Sequence, residues 1–154
     1  MNYRGRFAPS PSGPLHFGSL IAAVASYLQA KSNKGKWLVR IEDVDIPRSI
    51  PGADKLILES LDALKLHWDE EIIYQSQRTQ RYQEIISKLK QSGATYPCCC
   101  SRKEVGNLPY PGTCRNGVSH NKKATAIRIK VEPQTISFID RIQDTFSQEL
   151  DSEL

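Results

Sequence analysis

The stretch "GRFAPSPSGPLHFGSLIAA", residues 5–23, decides the fold of this chain. It joins a short β-type start to an apolar run with helical character, through a segment that holds three prolines together with Gly13 and Gly18. Proline fixes φ, and glycine permits backbone conformations that other residues avoid. The segment is therefore predicted to be a shaped loop that holds a ligand, rather than a flexible linker.

The elements on either side of this loop predict a βαβ unit. Residues 3–8 fit a first strand, a helix begins near Phe17, and residues 35–45 have the pattern of a buried strand that ends in acidic residues. An apolar stripe is expected to face inward from the helix, and its members are Leu20, Val24, Tyr27 and Leu28. An α/β fold follows from this order of elements.

Two further helices are predicted before the composition changes. The first covers about residues 53–66 and the second about 79–91. Their apolar faces are Ile57, Leu61 and Leu64 in the first, and Tyr82, Ile85, Ile86 and Leu89 in the second. Every cysteine lies within residues 98–114, and two β-type runs follow at 124–131 and 135–142. We therefore divide the chain into residues 1–92 and a small inserted module with its connecting β region, residues 93–154.

The charge balance and the lengths of the apolar runs bear on whether the protein binds nucleic acid, is exported or spans a membrane. The 21 Lys and Arg against 17 Asp and Glu tolerate a phosphate-rich partner but do not by themselves indicate nucleic-acid binding. The prolines and His16 interrupt the segment where a signal peptide would begin its apolar run, and no stretch approaches the roughly twenty apolar residues of a membrane span. We expect a cytoplasmic protein whose cysteines bind metal rather than form disulfides.

The end of the loop has the features of a phosphate site. A helix N-terminus presents unpaired N–H groups and the positive end of the helix dipole. His16 adds a donor, Gly18 lets a ligand approach the backbone, and Ser19 adds a hydroxyl. The alternative is a tight βα turn with a structurally satisfied histidine. Neither dinucleotide-binding nor P-loop glycines are present in the sequence, so a nucleotide site here is of another type.

The cysteine cluster has the composition of a zinc site that lacks one obvious ligand. Zinc takes four ligands in a tetrahedron. Cys98 and Cys100 form one close pair, and Cys114 lies beyond a Pro/Gly turn. The fourth ligand is to be found among Cys99, Tyr110 and His120. A thiol or imidazole is the more usual choice, but Cys99 points away from a site that Cys98 and Cys100 share if the segment is extended.

The motifs together resemble a known enzyme family. His16-Phe17-Gly18-Ser19 resembles His-Ile-Gly-His, the first signature of class I aminoacyl-tRNA synthetases. With "GRFAPSPSG" before it and "RIEDVDIPR" after it, the order is similar to the glutamate-specific branch over residues 5 to about 142. The resemblance is closest to a short paralogue of that branch, because Gly18-Ser19-Leu20-Ile21 stands where the synthetases proper typically have Gly-Gly-Ala-Arg. It implies a Rossmann-like, nucleotide-binding half with a zinc-binding insertion.

This resemblance also implies a reaction. Glutamate attacks the α-phosphorus of ATP, which arrives with Mg²⁺, and the activated glutamate passes to queuosine in the anticodon of tRNA(Asp). The catalytic residues would be His16, Gly18 and Ser19. The amino-acid contacts would be Arg6, Phe7, Ala8, Pro9, Ser10 and Glu42, in which Arg6 offers a bidentate cation to the side-chain carboxylate and Glu42 pairs with the α-amino group.

The family pattern Cys-x-Cys followed by Tyr-x-x-x-Cys implies a ligand set for the metal. It matches Cys98, Cys100, Tyr110 and Cys114, and it leaves Cys99 as the spare residue. Four protein ligands make the zinc structural, because no coordination position stays open for catalysis. We expect the protein to act as a monomer.

Two other functions remain open at this point. One is an N-terminal piece of a true glutamyl-tRNA synthetase, and the other is a non-catalytic module that binds tRNA or ATP. The second class I signature, a Lys-Met-Ser-Lys-Ser type loop, is not found in residues 1–154. We therefore expect the isolated chain to bind ATP or glutamate weakly and not to turn over.

Overall fold

The computed structural model describes residues 3–106, 110–118 and 121–150, and the chain divides into two compact units, Met1–Tyr82 and Gln83–Leu154. The first unit carries a parallel three-stranded sheet with helices, and the second carries two antiparallel strand pairs. The α/β class predicted from the sequence is confirmed.

The first unit is built from five regular elements joined by two 3₁₀ turns, Ile46–Arg48 and Gln75–Arg78. The elements are β1 (Arg4–Phe7), α1 (Phe17–Ser32), β2 (Lys36–Ile41), α2 (Ala53–Ala63) and β3 (Ile73–Tyr74). The strand order is β1-β2-β3 and both pairings are parallel, with Phe7 beside Val39 and Ile41 beside Tyr74. Because parallel strands need a crossover connection, α1 completes the predicted βαβ unit.

Trp37 on β2 is the centre of the core of this unit. It is fully buried; the Phe7 ring stacks on it with centroids 6.2 Å apart, and the Tyr27 ring meets it edge-on at 5.3 Å. Its indole N–H donates to Ser26 Oγ at 2.9 Å, so the one polar atom of the ring is satisfied. The buried core residues of the unit are Phe7, Ala23, Ala30, Trp37, Val39, Ile41, Ile57, Leu61 and Leu66.

The predicted inward stripe of α1 is correct at Tyr27, which packs on Trp37, but wrong at Val24 and Leu28. Val24 and Leu28 are 39% and 59% exposed, whereas Ala23 and Ala30 are fully buried. The reason is the close approach of the helix to β1, where a Cβ added at Gly5 would lie 3.0 Å from Ala30 Cβ. Only a small side chain fits between a helix and a strand at this separation, so Ala30 rather than a larger apolar residue faces β1 at this point.

Only some of the residues predicted to face inward on the next two helices are buried. Ile57 and Leu61 of α2 are fully buried as expected, but Leu64 is 51% exposed because the helix ends at Ala63. The third helix, α3, covers Thr79–Gln91 as predicted. Its expected inward residues Tyr82, Ile85 and Ile86 are exposed, and Leu89 is half-buried.

The second unit contains most of α3, followed by a short helix and two strand pairs. Its elements after α3 are β4 (Thr95–Cys98), α4 (Arg102–Val105), β5 (Ala126–Ile129), β6 (Gln134–Asp140) and β7 (Asp144–Leu150). The two β-type runs of the sequence correspond to β5, which pairs with β4, and to β6. The sequence did not predict β7, which pairs with β6 and places the Phe146 ring 5.3 Å from that of Phe138. Among the described residues, no helix combines the length and apolar character needed to cross a bilayer.

Asp69 ties the start of β2 to the end of α1, and its removal is expected to destabilise the first unit. Its carboxylate accepts hydrogen bonds at 2.7 Å from Lys31 Nζ and from the Trp37 amide, and these contacts hold its pKa below the usual range. Asp69→Asn is expected to lower the free energy of unfolding by about 1–2 kcal/mol at pH 7, since the site is partly screened by solvent.

The pH dependence of this effect has a defined sign. A carboxyl group whose folded-state pKa is lowered stabilises the fold above its unfolded value, about 3.9, and the contribution is lost as the pH falls through the folded value. Urea unfolding followed by tryptophan fluorescence should therefore show a difference between wild type and Asp69→Asn at pH 7 that shrinks at pH 3. Glu71→Gln, at an exposed neighbouring position, is the control. An equal difference at both pH values would contradict the assignment.

Candidate active site and metal centre

The loop between β1 and α1 encloses a cavity of about 420 Å³ within the first unit. Its lining consists of residues 7–10 and 12–16 together with Gly18, Ser19 and Ala22 at the start of α1. Two backbone bonds fix the loop to the segment that follows β2, from Glu42 N to Pro9 O at 2.9 Å and from Ile50 N to Pro11 O at 2.8 Å. These bonds hold the loop from outside, in addition to the restriction that its own prolines impose.

His16 is the N-cap of α1. Its Nδ1 accepts a hydrogen bond from the Ser19 amide at 3.2 Å, and its Nε2 lies 3.0 Å from Ser19 Oγ. Because Nδ1 accepts, the neutral ring carries its proton on Nε2 and can donate it to the hydroxyl. The same ring lines the cavity and is exposed. His16 is therefore a satisfied helix cap and, at the same time, has a nitrogen at the cavity wall that can donate a hydrogen bond.

Gly18 makes room for this arrangement. A Cβ at position 18 would lie 3.2 Å from His16 Cε1 and 3.3 Å from His16 Nδ1. Those distances are tighter than most Cβ contacts, so a side chain at this position would require the imidazole to shift by a few tenths of an ångström. Phe17, between the two, is 79% exposed.

The residues expected to contact the amino acid do not all occupy the same kind of position. Ala8, Pro9 and Ser10 line the cavity, whereas Phe7 is buried and its main contact is the core stack on Trp37. Arg6 stands one residue before the lining, with an exposed side chain that alternates with Phe7 along the strand. Arg6 thus belongs to the strand that enters the cavity rather than to its wall.

Glu42 directly follows β2, and its carboxylate forms an ion pair with the Arg40 guanidinium. The side chains are only about 30% exposed, at 27% for Arg40 and 32% for Glu42. Arg40 Nε is buried and has no hydrogen-bond partner among the residues the structure describes. Sequence reasoning missed Arg40, although a charged residue within the apolar run "WLVRI" was a signal that could have identified it.

The second unit brings three cysteines together. The Sγ atoms of Cys98, Cys100 and Cys114 all lie within 4.8 Å of one another, and those of Cys100 and Cys114 are 3.6 Å apart. Cys98 is the last residue of β4, and a capping box between Ser101 and Glu104 fixes the turn that follows Cys100. Spacing along the sequence predicted this cluster.

Tyr110 completes a set of four donor atoms. Its buried hydroxyl lies 3.4 Å from Cys98 Sγ and 3.5 Å from Cys100 Sγ, and it accepts the Cys114 amide at 2.9 Å. In a tetrahedron with Zn–S bonds of about 2.3 Å, the sulfur atoms are about 3.8 Å apart. The Cys100–Cys114 separation of 3.6 Å is close to that value and the other two sulfur pairs lie within 4.8 Å, so the donor set is compact enough for a metal ion of this size.

The surroundings favour thiolates at two of the three cysteines. A hydrogen bond from the Tyr110 hydroxyl is the strongest of the contacts that lower the pKa of Cys114 to about 6. Burial raises the pKa of Cys98, but its hydrogen bonding with the Tyr110 hydroxyl and the hydrogen bond from Arg128 outweigh that effect, so that the pKa is lowered overall. The thiolate is the form that binds metal.

Arg128 on β5 contacts two of the four donors. Its Nε donates to Cys98 Sγ at 3.3 Å, and its guanidinium carbon lies 3.7 Å from the centre of the Tyr110 ring, a cation–π geometry. No sequence signal identified this residue, because it lies on a separate strand with an ordinary alternating pattern. Arg128 holds Cys98 and Tyr110 in place from the opposite strand of the pair.

Cys99 does not point away from the cluster as expected. Its Sγ lies outside the group of three sulfurs but only 3.7 Å from Cys114 Sγ. The strand ends at Cys98, so the alternation of an extended segment no longer applies at the next residue. His120, the other alternative ligand, lies outside the described residues.

Comparisons with known proteins agree with these motifs. Residues 2–109 match the family described as "tRNA synthetases class I (E and Q), catalytic domain". A protein of Dechloromonas aromatica named glutamyl-Q tRNA(Asp) synthetase is 51% identical over 99% of this chain and 54% of its own length. One of the same name from Vibrio parahaemolyticus is 56% identical over 90% of this chain and 47% of its own.

A similar fold occurs in a solved structure. The glutamate-tRNA synthetase of Elizabethkingia anophelis superposes with a TM-score of 0.77 at 26% identity, covering 99% of this chain and 38% of that one. The present chain spans about half the length of the curated relatives it matches.

Proposed function

This chain belongs to the catalytic-domain family of class I tRNA synthetases for glutamate and glutamine, and from that premise we propose that it serves ATP-dependent activation of glutamate for transfer to queuosine in tRNA(Asp). The main observation that supports this proposal is the cavity of about 420 Å³, which ends at the N-terminus of α1 and has His16 in its wall. Residues 1–92 would form the catalytic half and residues 93–154 the metal-binding insertion and its connecting strands. The proposed compartment is the cytoplasm, where four free cysteines stay reduced.

In the proposed first step, a carboxylate oxygen of glutamate attacks the α-phosphorus of ATP. A P–O bond forms, the bond to the β-phosphate breaks, and pyrophosphate leaves with the electron pair; Mg²⁺ accompanies ATP. The N–H groups at the start of α1 favour the phosphate charge. His16 Nε2–H, which now donates to Ser19 Oγ, can turn its proton toward a phosphate oxygen, and Ser19 supplies a second donor.

The glutamate substrate would be held between Arg6 and Glu42. Arg6 would pair with the side-chain carboxylate and Glu42 with the α-amino group, while Phe7, Ala8, Pro9 and Ser10 form the floor and wall of the site. The Arg40 pairing keeps Glu42 oriented at the end of β2, next to Pro9. An ammonium placed there would share the carboxylate with Arg40.

Arg6→Ala is expected to weaken glutamate activation selectively. A charge-assisted bidentate pair contributes about 1.5–3 kcal/mol, so kcat/KM for glutamate should fall by about tenfold to a hundredfold while the KM for ATP changes little. The assay is glutamate-dependent exchange of labelled pyrophosphate into ATP, in a chimaera whose first half is residues 1–154 and whose second half comes from the Dechloromonas aromatica relative.

Arg4→Ala is the matched control for this variant. Arg4 lies two residues earlier on the same face of β1, and its guanidinium is occupied by Glu70 at 2.8 Å and 3.0 Å. The control should leave the glutamate kcat/KM within about twofold, as a surface ion pair contributes little. An Arg6→Ala chimaera that also keeps its glutamate kcat/KM would exclude Arg6 from the site.

The acceptor is tested with labelled glutamate, ATP and tRNA that either contains or lacks queuosine. Label only on the queuosine-containing tRNA(Asp) would support the proposal. Label on the terminal ribose of tRNA(Glu) would favour the second candidate, a glutamyl-tRNA synthetase. The structural similarity to the Elizabethkingia anophelis enzyme supports that candidate. Binding of tRNA or ATP without any transfer would favour a non-catalytic module.

In the second unit, we propose that Cys98, Cys100, Tyr110 and Cys114 hold one zinc ion. When bound, the ion would cross-link the end of β4 to the turn that carries Cys114. Four protein ligands close its coordination, so its contribution is to folding rather than to the reaction. The proposed active protein is a monomer that uses glutamate, ATP and tRNA(Asp).

A further inference from the structure

Cys99 is a thiol that neither the glutamate site nor the metal site uses. Its Sγ lies 3.7 Å from Cys114 Sγ, but it is not one of the three sulfurs that share a 4.8 Å sphere. We propose that Cys99 and Cys114 form a peroxide-sensitive thiol pair, in which oxidation joins the two sulfurs in a disulfide and opens the metal site. The inference rests on the proposed ligand set, in which Cys114 is bound to metal and Cys99 is not.

A cavity in the second unit gives a small oxidant access to this pair. It has a volume of about 220 Å³, and its wall includes Cys99, Cys100, Glu104, Tyr110, Cys114 and Lys122. Hydrogen peroxide is close in size to water, which occupies about 30 Å³ in the liquid, so the cavity admits it readily. Lys122, paired with Glu104 at 3.0 Å, places a positive charge on the same wall.

The chemistry balances with peroxide as the only oxidant. The Cys114 thiolate attacks one peroxide oxygen, an S–O bond forms, the O–O bond breaks, and the departing hydroxide takes a proton to become water. The Cys99 thiolate then attacks the sulfenic sulfur, an S–S bond forms, and the oxygen leaves as a second water. Two thiols lose two electrons and two protons, and one peroxide becomes two waters.

Distance alone does not choose between Cys99 and Cys100, because Cys100 Sγ lies 3.6 Å from Cys114 Sγ. The metal makes the choice. Attack by Cys100 on the oxidised Cys114 would take a second sulfur ligand from the zinc, whereas Cys99 lies outside the ligand set and can attack without breaking another Zn–S bond. In the loaded protein, Cys99 is therefore the thiol that resolves the sulfenic acid, and the metal is left with three of its four ligands.

The test uses the zinc-loaded chain, treated with a few equivalents of hydrogen peroxide in the presence of a chromogenic chelator. Non-reducing tryptic digestion separates Cys99 from Cys114, since they fall in peptides 91–102 and 104–115. We expect a cross-link between these peptides that appears in step with zinc release, that fragmentation assigns to Cys99 and Cys114, and that dithiothreitol with added zinc reverses.

Cys99→Ser is the decisive variant. Its zinc content, measured before oxidation, should equal that of the wild type, and the initial rate of cross-linking should fall by about tenfold or more. An unchanged rate, or fragmentation that joins Cys114 to Cys100 or Cys98 in the wild type, would overturn the proposal. A variant that purifies without zinc would instead show that the proposed ligand set is wrong, and the wild-type cross-link would still decide whether Cys99 and Cys114 pair.

Discussion

Cys114→Ala should purify without zinc, whereas Cys99→Ser should retain about one zinc ion per chain. Cys114 supplies a sulfur 3.6 Å from that of Cys100, and its amide donates to Tyr110, so its loss removes one ligand and releases another. Structural zinc contributes about 10–16 kcal/mol of apparent binding free energy, which is also folding free energy. The variant is therefore expected to lose most of the order between about residues 93 and 118.

Metal analysis and amide hydrogen exchange measure the two parts of this result. Tyr110→Phe is the matched variant for the fourth ligand, because it keeps the buried ring under Arg128 and removes only the hydroxyl oxygen. Its zinc affinity should fall by at least about tenfold. Zinc retained in Cys114→Ala would mean that Cys114 is not a required ligand. Zinc lost in Cys99→Ser, with Tyr110→Phe unaffected, would mean that Cys99 is a ligand and Tyr110 is not.

His16→Ala should reduce glutamate-dependent pyrophosphate exchange by about a hundredfold to a thousandfold in the chimaera described above, the usual effect of removing one donor from a site where charge develops. The imidazole lines the cavity at the N-terminus of α1, and its Nε2 proton is the one that can follow charge on the phosphate. The same substitution removes the cap that Nδ1 provides for the Ser19 amide, which costs about 0.5–2 kcal/mol of stability.

His16→Asn separates these two effects. Asparagine is a good N-cap, so its side-chain oxygen should replace Nδ1 and keep the unfolding free energy near that of the wild type. We expect both variants to lose exchange activity but only His16→Ala to lose stability, as measured by urea unfolding. If His16→Asn keeps full activity, the imidazole acts only as a cap and the structurally satisfied alternative is correct.

The sequence predicted those parts of the fold that depend on backbone chemistry. Proline and glycine restrict φ locally, so the shaped loop, the βαβ unit and the start of α1 could be recognised without knowing their neighbours. The inward face of α1 could not, since it depends on how close the helix approaches Gly5. A hydrophobic pattern favours Val24 and Leu28, whereas Ala23 and Ala30 are the buried residues of this helix, with Ala30 closest to Gly5.

Other contacts could not be predicted from the sequence because they also depend on how distant segments pack together. The strand β7 has a polar, acidic sequence, and its place is given by pairing with β6 rather than by its own pattern. The ion pair between Arg40 and Glu42, and the contacts of Arg128, join residues whose relation depends on strand register and side-chain direction. Spacing identified the three clustered cysteines, but the position of Cys99 beside Cys114 depends on where the strand stops.

Arg128 places a compensating charge beside the proposed metal site. Three cysteine thiolates around a divalent ion would have a net charge of minus one, before any charge on Tyr110 is counted. The guanidinium, whose Nε lies 3.3 Å from Cys98 Sγ, would offset one negative charge and so reduce the large cost of desolvating the occupied centre. A monovalent ion such as Cu⁺ would leave one more negative charge uncompensated than a divalent ion. We therefore expect the arginine to favour divalent over monovalent metals by charge, independently of the tetrahedral geometry that Zn²⁺ shares with its competitors.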